Sequence, residues 1–301
     1  MEQIIGRRSF LKLMGAACVA SCAARAASTD SVLRPPDAAP WQMRLSTSSI
    51  HFSQLPIEKA CETIAGLGFQ AIDIWSAYDG CPHLDDVASR LGPEGLKELL
   101  AKHKLRLYAF STYEGGYGRY AELLGKAGGG VAIQGSAGPC KPEELGARMR
   151  QFIESLKPLI ELADKYNSYL AIENHGQSLL DSTDSLKAFV DANTSPRLGI
   201  ALAPYHIQSL KGSVPEAIRI CGRQLFFFYA WQNQPDAKQL PGVGPTDMTP
   251  WIQALAQIRY RGYVNPFMHG RPAVETVTAN MATARDYLKD CYEKVRKIGN
   301  T

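Results

Sequence analysis

The run Leu170-Ala171-Ile172-Glu173-Asn174-His175-Gly176 is short and apolar, and it ends abruptly in a carboxylate, an amide, an imidazole and a glycine. As a strand it alternates, so Ala171, Glu173 and His175 face one way and Leu170, Ile172 and Asn174 the other. An ionisable pair at the carboxyl end of a buried strand is costly without a use or a partner. A carboxylate and an imidazole so placed can hold a metal ion or move a proton. The rest of the chain reads as a scaffold for this pair.

That scaffold alternates strands and helices. Met43 to Ser48 reads as a first strand, Pro56 to Ala65 as a helix, Phe69 to Trp75 as a second strand and Pro93 to His103 as a second helix. Lys104 to Phe110 is the third strand, Arg119 to Leu124 a short helix and Gly128 to Gln134 a weak fourth strand. Pro142 to Tyr166 carries Phe152, Leu156, Leu159, Ile160 and Ala163 at helical spacing and reads as one long amphipathic helix. After the opening run, which is strand five, the pattern repeats. Arg197 to Leu202, Leu225 to Tyr229 and Tyr263 to Met268 are strands, and Asp184 to Ala192, Pro215 to Cys221, Trp251 to Ile258 and Val274 to Ile298 are helices. Eight strand-helix units predict a closed α/β barrel, the (β/α)8 TIM barrel, as a single domain over residues 43–301. An open doubly wound sheet would show a glycine-rich turn after its first strand, and Ser46-Thr47-Ser48-Ser49 is not one.

In such a barrel the chemistry sits at the carboxyl ends of the strands. Those ends carry Ser49 and His51, then Asp73 and Trp75 with His83 beyond, then Ser111, Tyr113 and Glu114. They continue with Glu173 and His175, Pro204-Tyr205-His206, Tyr229 with Trp231, Gln232 and Asn233, and Met268-His269. Of six histidines only His103 lies away from this rim, which predicts a polar, functional mouth. Trp75, Tyr113, Tyr117, Tyr205, Tyr229 and Trp231 either cap the core or offer a platform for the apolar face of a sugar ring. The candidate binding set is therefore Asp73, Trp75, His51, His83, Glu114, His175, Tyr205, Tyr229, Trp231 and Gln232.

From about Met43 to Lys297 the sequence resembles the xylose-isomerase-like barrels, a family of sugar phosphate isomerases and epimerases related to the inosose dehydratases. The resemblance is carried by Ala65-Gly66-Leu67-Gly68-Phe69-Gln70-Ala71-Ile72-Asp73-Ile74, by the run around Glu173, by Pro204-Tyr205-His206, by Pro241-Gly242-Val243-Gly244 and by Gly262-Tyr263. It implies one divalent ion held by a glutamate on strand five, an aspartate on strand six, a histidine on strand seven and a glutamate on strand eight. Two of those glutamates would move a proton beside a metal-polarised carbonyl. Glu173 matches the first position. The others fall on Ala203, on Phe228-Tyr229-Ala230-Trp231, and on Met268 or His269, while His206 is kept. One carboxylate does not hold a hard cation, which prefers several oxygens. Two readings remain. A zinc-like site could be rebuilt from Glu173, His175, His206 and His269, since imidazole suits zinc. Otherwise no metal occupies the family's position, and Glu173 with a histidine either transfers protons alone or does nothing.

The functional expectation is an isomerase, epimerase or lyase acting on a sugar or keto-sugar, free or glycosidic. In it Glu173 is the general base, and His206 and His269 are acid or oxyanion partners. The alternative is a non-catalytic carbohydrate-binding barrel. A nuclease of the related apurinic-endonuclease type would need a cluster of metal ligands and a basic groove, and neither is visible. No nucleic-acid partner is expected.

The 301 residues, 45% hydrophobic and 21% charged, suit a globular chain with a large core. The first 26 stand apart. Gly6-Arg7-Arg8-Ser9-Phe10-Leu11-Lys12, the apolar run Leu13 to Ala20 and Ala24-Arg25-Ala26 resemble a twin-arginine signal peptide, implying the matching export machinery as partner and a periplasmic or extracytoplasmic location. The apolar run is far below the roughly 20 residues of a spanning helix. Val19-Ala20-Ser21-Cys22 also resembles a lipobox, which would anchor the protein to a membrane through Cys22. Residues 27–42, with Pro35, Pro36 and Pro40, read as a linker. Removing the signal takes Arg7, Arg8, Lys12 and Arg25 against Glu2, so the formal +4 falls by three to +1. Cys61, Cys81, Cys140, Cys221 and Cys291 remain, an odd, scattered set that reads as buried free thiols.

Overall fold

The computed structural model describes residues 32–33 and 41–298. The expected signal peptide, Cys22 and most of the expected linker lie outside these residues. Eight parallel strands pair in chain order, β1 (Ser46–Ser48), β2 (Ala71–Trp75), β3 (Arg106–Ser111), β4 (Val131–Gly135), β5 (Tyr169–Glu173), β6 (Leu198–Leu202), β7 (Leu225–Ala230) and β8 (Val264–Pro266). A parallel bridge between Leu45 and Val264 brings the last strand back to the first, so the eight-stranded barrel expected from the sequence is formed. Around it run α1 (Ile57–Gly66), α2 (His83–Asp86), α3 (Gly92–Lys102), α4 (Gly116–Lys126), α5 (Leu145–Ser155), α6 (Lys157–Lys165), α7 (Thr183–Ala192), α8 (Pro204–Ser209), α9 (Val214–Cys221), α10 (Thr249–Gln257) and α11 (Val274–Ile298). Among the described residues no helix is long and apolar enough to cross a membrane. Among the described residues the five cysteines Cys61, Cys81, Cys140, Cys221 and Cys291 are free, and all but Cys140 are buried.

Strand alternation sorts the side chains into two layers. Leu170, Ile172, Leu198, Ile200 and Phe228 face outward, into the layer packed against the helices. Ala71, Ala109, Ala171 and Ala201 face inward, and the space these small residues leave is filled by Tyr108, Phe227, Tyr229, Tyr263 and Phe267. The barrel interior is thus aromatic, with rings filling the space that the small residues leave. Leu33, inside the segment expected to be only a linker, is 2% exposed and joins this inner cluster, and the Val32 carbonyl accepts a hydrogen bond from Arg44.

Two local expectations need correction. Residues 142–166 are not one helix: a 3-10 turn at Pro142–Glu144 leads into α5, and α5 gives way to α6 at Leu156. Pro158 is the cause, because it has no N–H to offer the preceding turn and its ring crowds the carbonyl four residues earlier. The N–H groups of Leu159 and Ile160 both turn back to the Leu156 carbonyl, at 2.9 Å each. The glycines Gly128-Gly129-Gly130, expected to open strand four, instead make the turn into β4, which starts at Val131. Gly129 has φ 85°, and a Cβ there would sit 2.7 Å from the Asn167 carbonyl oxygen.

Candidate active site at the carboxyl mouth of the barrel

Glu173 is the last residue of β5 and is 8% exposed. Its inward direction follows from the alternation that sends Leu170 and Ile172 outward. Tyr113, just past the end of β3, donates its O–H to Glu173 Oε2 at 2.7 Å. The Tyr113 and Tyr229 hydroxyls lie 3.2 Å apart. Burial pushes the Glu173 carboxyl up to about 7, the Tyr113 hydrogen bond pulls it down, and the negative charge of Asp73 pushes it further up. Both phenols are held well above their ordinary value, by burial first and by the Glu173 charge next. Near neutral pH this carboxyl is poised between its two forms, which is where a proton carrier works best.

Asp73 lies deeper, fully buried on β2. It accepts from Ser48 Oγ at 2.7 Å, Trp75 Nε1 at 2.6 Å and Ser111 Oγ at 3.0 Å. Burial outweighs these donors and raises its carboxyl to about 6. With its oxygens so engaged, Asp73 acts as a brace. It fixes the Trp75 ring and adds a charge below Glu173, and it is not free to bind substrate.

The opposite wall is built by β6, β7 and the strand-eight loop. The His175 and His206 rings are 4.1 Å apart. His206 is 7% exposed, and its Nε2 has no hydrogen-bond partner among the described residues. Burial, then the neighbouring His175 and His269, lower its imidazole to about 3, so the ring is neutral under ordinary conditions. Tyr205 stacks on Trp231 with centroids 4.3 Å apart and planes 17° apart. Trp231 Nε1 and the His269 backbone N–H both donate to Gln239 Oε1, at 2.7 and 3.0 Å. His269 Nδ1 lies 3.8 Å from Asp79 Oδ2. Its imidazole is lowered by burial, with Asp79 opposing.

Phe267 joins the two walls. It stacks on Trp75 at 5.3 Å and 16°, and presents edges or faces to Tyr229, Trp231 and His269 at 5.0 to 5.3 Å. Tyr78 extends this surface outward against Trp75 and Tyr113.

The structure therefore brings together Glu173, Tyr229, Trp75, Tyr205, Trp231, His206, His175 and His269, with Tyr113 and Phe267. It does not bring the remaining candidates to the mouth. His51 uses both ring nitrogens internally, with Thr47 Oγ1 at 3.2 Å and the Met268 N–H at 3.3 Å. His83 Nε2 binds the Leu55 carbonyl at 2.8 Å, and its Nδ1 lies 3.4 Å from Cys81 Sγ. Gln232 is buried and pins the following loop, donating to the Leu240 carbonyl and accepting from the Thr246 N–H. Glu114 is exposed, and its backbone N–H donates to Ser76 Oγ. Tyr117 packs in the outer layer, its hydroxyl 2.6 Å from Ser168 Oγ. Phe267 and Gln239 escape sequence reasoning altogether, because a phenylalanine in Val264-Asn265-Pro266-Phe267 reads as plain core and a loop glutamine carries no motif.

The donor set does not fit a metal ion. Among the described residues no three of His, Cys, Asp and Glu converge on a point. Glu173 is turned to Tyr113, His175 Nδ1 bonds the Gly176 carbonyl while its ring packs on His206, and His206 and His269 both pack against the Trp231 ring. The zinc-like site considered from Glu173, His175, His206 and His269 is therefore not assembled. Ala203 has no donor atom, and the Tyr229 hydroxyl is paired with that of Tyr113 at 3.2 Å.

Residues 61–291 match the family described as xylose isomerase-like TIM barrel. No curated protein matches the sequence. Among solved structures, a xylose isomerase-like TIM barrel/4-hydroxyphenylpyruvate dioxygenase fusion protein superposes with TM-score 0.67 at 20% identity, over 85% of this chain and 43% of that one. This chain thus spans less than half the length of the fusion. The apo form of 3-keto-D-glucoside 4-epimerase from E. coli gives 0.63 at 15% identity, over 81% and 100% of the two chains. The IOLI protein with a bound zinc atom gives 0.64 at 16%, over 84% and 99%.

Proposed function

The chain belongs to the family of xylose isomerase-like TIM barrels, and we propose that within it the protein is an isomerase- or epimerase-like enzyme that moves a proton next to a carbonyl of a sugar or keto-sugar. One observation carries this reading: a single carboxylate, Glu173, is buried at the mouth with its proton affinity raised to about 7 and its orientation fixed by the Tyr113 O–H. In the ionised form Glu173 takes the proton from the carbon beside the carbonyl. Negative charge then develops on the carbonyl oxygen and needs a preorganised donor. The neutral His206 ring, with its buried Nε2 unpartnered, and the Tyr229 phenol are the groups available for that role. Tyr205, partly exposed and stacked on Trp231, supplies a ring for the apolar side of a pyranose or furanose, with Trp75, Phe267 and Trp231 buried behind it. No step is routed through a metal, since the donors do not fit one. That neighbouring folds include a 3-keto-D-glucoside 4-epimerase supports the substrate class.

The test is solvent proton exchange. A panel of sugars and 3-keto-sugars incubated in deuterium oxide is read by NMR for label at the carbon next to the carbonyl, with Glu173→Gln as control. General base catalysis contributes roughly 10²–10⁴-fold, so the variant should lose at least about 100-fold. Exchange that persists in Glu173→Gln sinks the proposal. Calorimetric sugar binding without exchange, unchanged in Glu173→Gln, favours the carbohydrate-binding alternative.

The twin arginines Arg7 and Arg8 support export of the folded protein, hence a free or glycosidic substrate in place of a phosphorylated one. Fractionation of cells producing the wild type and an Arg7→Lys/Arg8→Lys variant decides this. Retention of the variant with the cytosol is expected. Mass spectrometry of the exported form separates cleavage after Ala26 from lipidation at Cys22.

A further inference from the structure

The amino end of the barrel carries a concentration of positive charge that the chemistry of the mouth leaves unused. A cleft of about 180 Å³ opens there, with Arg223, Gln257, Arg259 and Arg261 in its lining. Arg223 follows α9, Arg259 follows α10 and Arg261 leads into β8. Arg261 is the half-buried member. Its guanidinium lies 5.8 Å from the Phe226 ring centroid, Nη2 donates to the Arg223 carbonyl at 3.3 Å, and its own carbonyl accepts from Arg44. Its Nε is buried with no hydrogen-bond partner among the described residues.

None of these three arginines forms an ion pair with a described residue, although Arg90, Arg119, Arg197, Arg285 and Arg296 each hold a carboxylate. The charges that act on Arg261 are Arg223, which repels it, and the phenols of Tyr169 and Tyr260, and burial lowers its proton affinity. Arg259 has φ 51°, a backbone conformation that costs a non-glycine residue strain. A structural role explains part of this, because cations after a helix favour the negative end of its dipole. That accounts for Arg223 and Arg259. It does not account for half-buried Arg261, which lines a cleft with two more guanidinium groups and no carboxylate while its buried Nε finds no acceptor among the described residues, since a buried donor left unpaired is penalised.

We propose that this cleft binds a compact oxyanion of the phosphate type, free or as the terminal group of a larger molecule, with half-buried Arg261 as the anchor and Arg223 and Arg259 at its rim. The planar guanidinium fork matches a tetrahedral oxyanion through paired charge-assisted hydrogen bonds. At about 30 Å³ per water the cleft holds several waters, which the anion would displace. The site is independent of Glu173, so its success or failure leaves the reading of the mouth untouched.

The experiment is calorimetric titration of the full chain with inorganic phosphate against sodium chloride at matched ionic strength. A second arm measures binding to phosphatidylglycerol vesicles against phosphatidylcholine vesicles. The variants are Arg223→Ala/Arg259→Ala, both exposed positions that leave the core intact, and Arg261→Lys, which keeps charge and removes the fork. One phosphate per chain, weakened at least tenfold in both variants and unchanged in Glu173→Gln, is the expected result. Vesicle binding that depends on the same arginines, stronger than that of free phosphate, supports the site and identifies a lipid headgroup as the source. No binding in either arm, or binding that survives the double variant, overturns the proposal.

Discussion

Replacing Glu173 by glutamine should abolish chemistry and stabilise the protein, and the stabilisation should depend on pH in a defined way. In the unfolded chain the carboxyl titrates near its ordinary value of 4.5, and in the folded protein near 7. A group whose folded value is raised contributes fully below the unfolded value and loses that contribution as pH rises through the folded one. Glu173 therefore costs nothing extra at pH 4.5 and is a buried, ionised burden above pH 8. The difference between 4.5 and 7, at 1.36 kcal/mol per pH unit, is about 3 kcal/mol. Glutamine carries no charge to bury, and its Oε1 still accepts from Tyr113. Asp73 titrates in both proteins and cancels to first order in the difference. Urea unfolding at pH 5, 7 and 8.5 checks this. With a slope of roughly 3 kcal/mol per M the variant's midpoint should exceed the wild type's by about 1 M at pH 8.5 and by little at pH 5. A difference that is flat with pH, or a variant less stable at pH 8.5, refutes the assignment of Glu173 as a desolvated, pH-poised carboxyl.

Other expectations can be checked alongside. Tyr113→Phe removes the donor that holds Glu173 down, and hydrogen bonds to charged groups amount to about 1.5–3 kcal/mol. The rise of kcat/KM, which tracks Glu173 ionisation through about pH 7 in the wild type, should move upward by about one to two pH units. Tyr205→Ala strips the half-exposed ring from Trp231, and sugar affinity by calorimetry should fall roughly tenfold, the scale of one aromatic contact of about 1.4 kcal/mol. Exhaustive dialysis against chelator should leave both exchange activity and thermal stability unchanged, because the donors do not converge; stoichiometric zinc by elemental analysis would contradict that. Gly129→Ala should lower the melting temperature, since the new Cβ meets the Asn167 carbonyl oxygen at 2.7 Å in a left-handed backbone.

The barrel was legible because period-two alternation and helix spacing are local properties, written in runs such as Leu170 to Glu173. Helix breaks were less so. The apolar face from Phe152 to Ala163 continues across Pro158, and only the missing N–H at that residue splits it. The site was legible in part for a related reason. That Glu173 faces inward follows from alternation alone, but what it faces does not. Its partner Tyr113 comes from a loop 60 residues earlier, and only closure of the barrel sets the two at 2.7 Å. The histidines show the opposite failure. Five of them gather at one end as their positions predict, yet His51 and His83 spend both nitrogens on Thr47, Met268, Leu55 and Cys81. Position along the chain decides which end of the barrel a residue reaches. Hydrogen-bond saturation decides whether it can still act, and that is a tertiary property.

That distinction bears on how this barrel could work without the ligands its family resemblance implies. A metal at the mouth would polarise a carbonyl oxygen and would keep nearby carboxylates ionised. Here the positions of three ligands fall on Ala203, on Phe228-Tyr229-Ala230-Trp231 and on Met268 or His269, and the interior beside them is aromatic. Burial in that interior raises the proton affinity of the two carboxylates it holds, Glu173 and Asp73. The same burial makes Glu173 a stronger base when it does ionise, and neutral donors, the Tyr229 phenol and the His206 ring, remain as the groups facing the developing oxygen charge. The aromatic interior and the poised carboxylate are therefore one arrangement: the buried rings that exclude water from Glu173 raise its basicity, and partly exposed Tyr205 at their edge is the ring a sugar would meet.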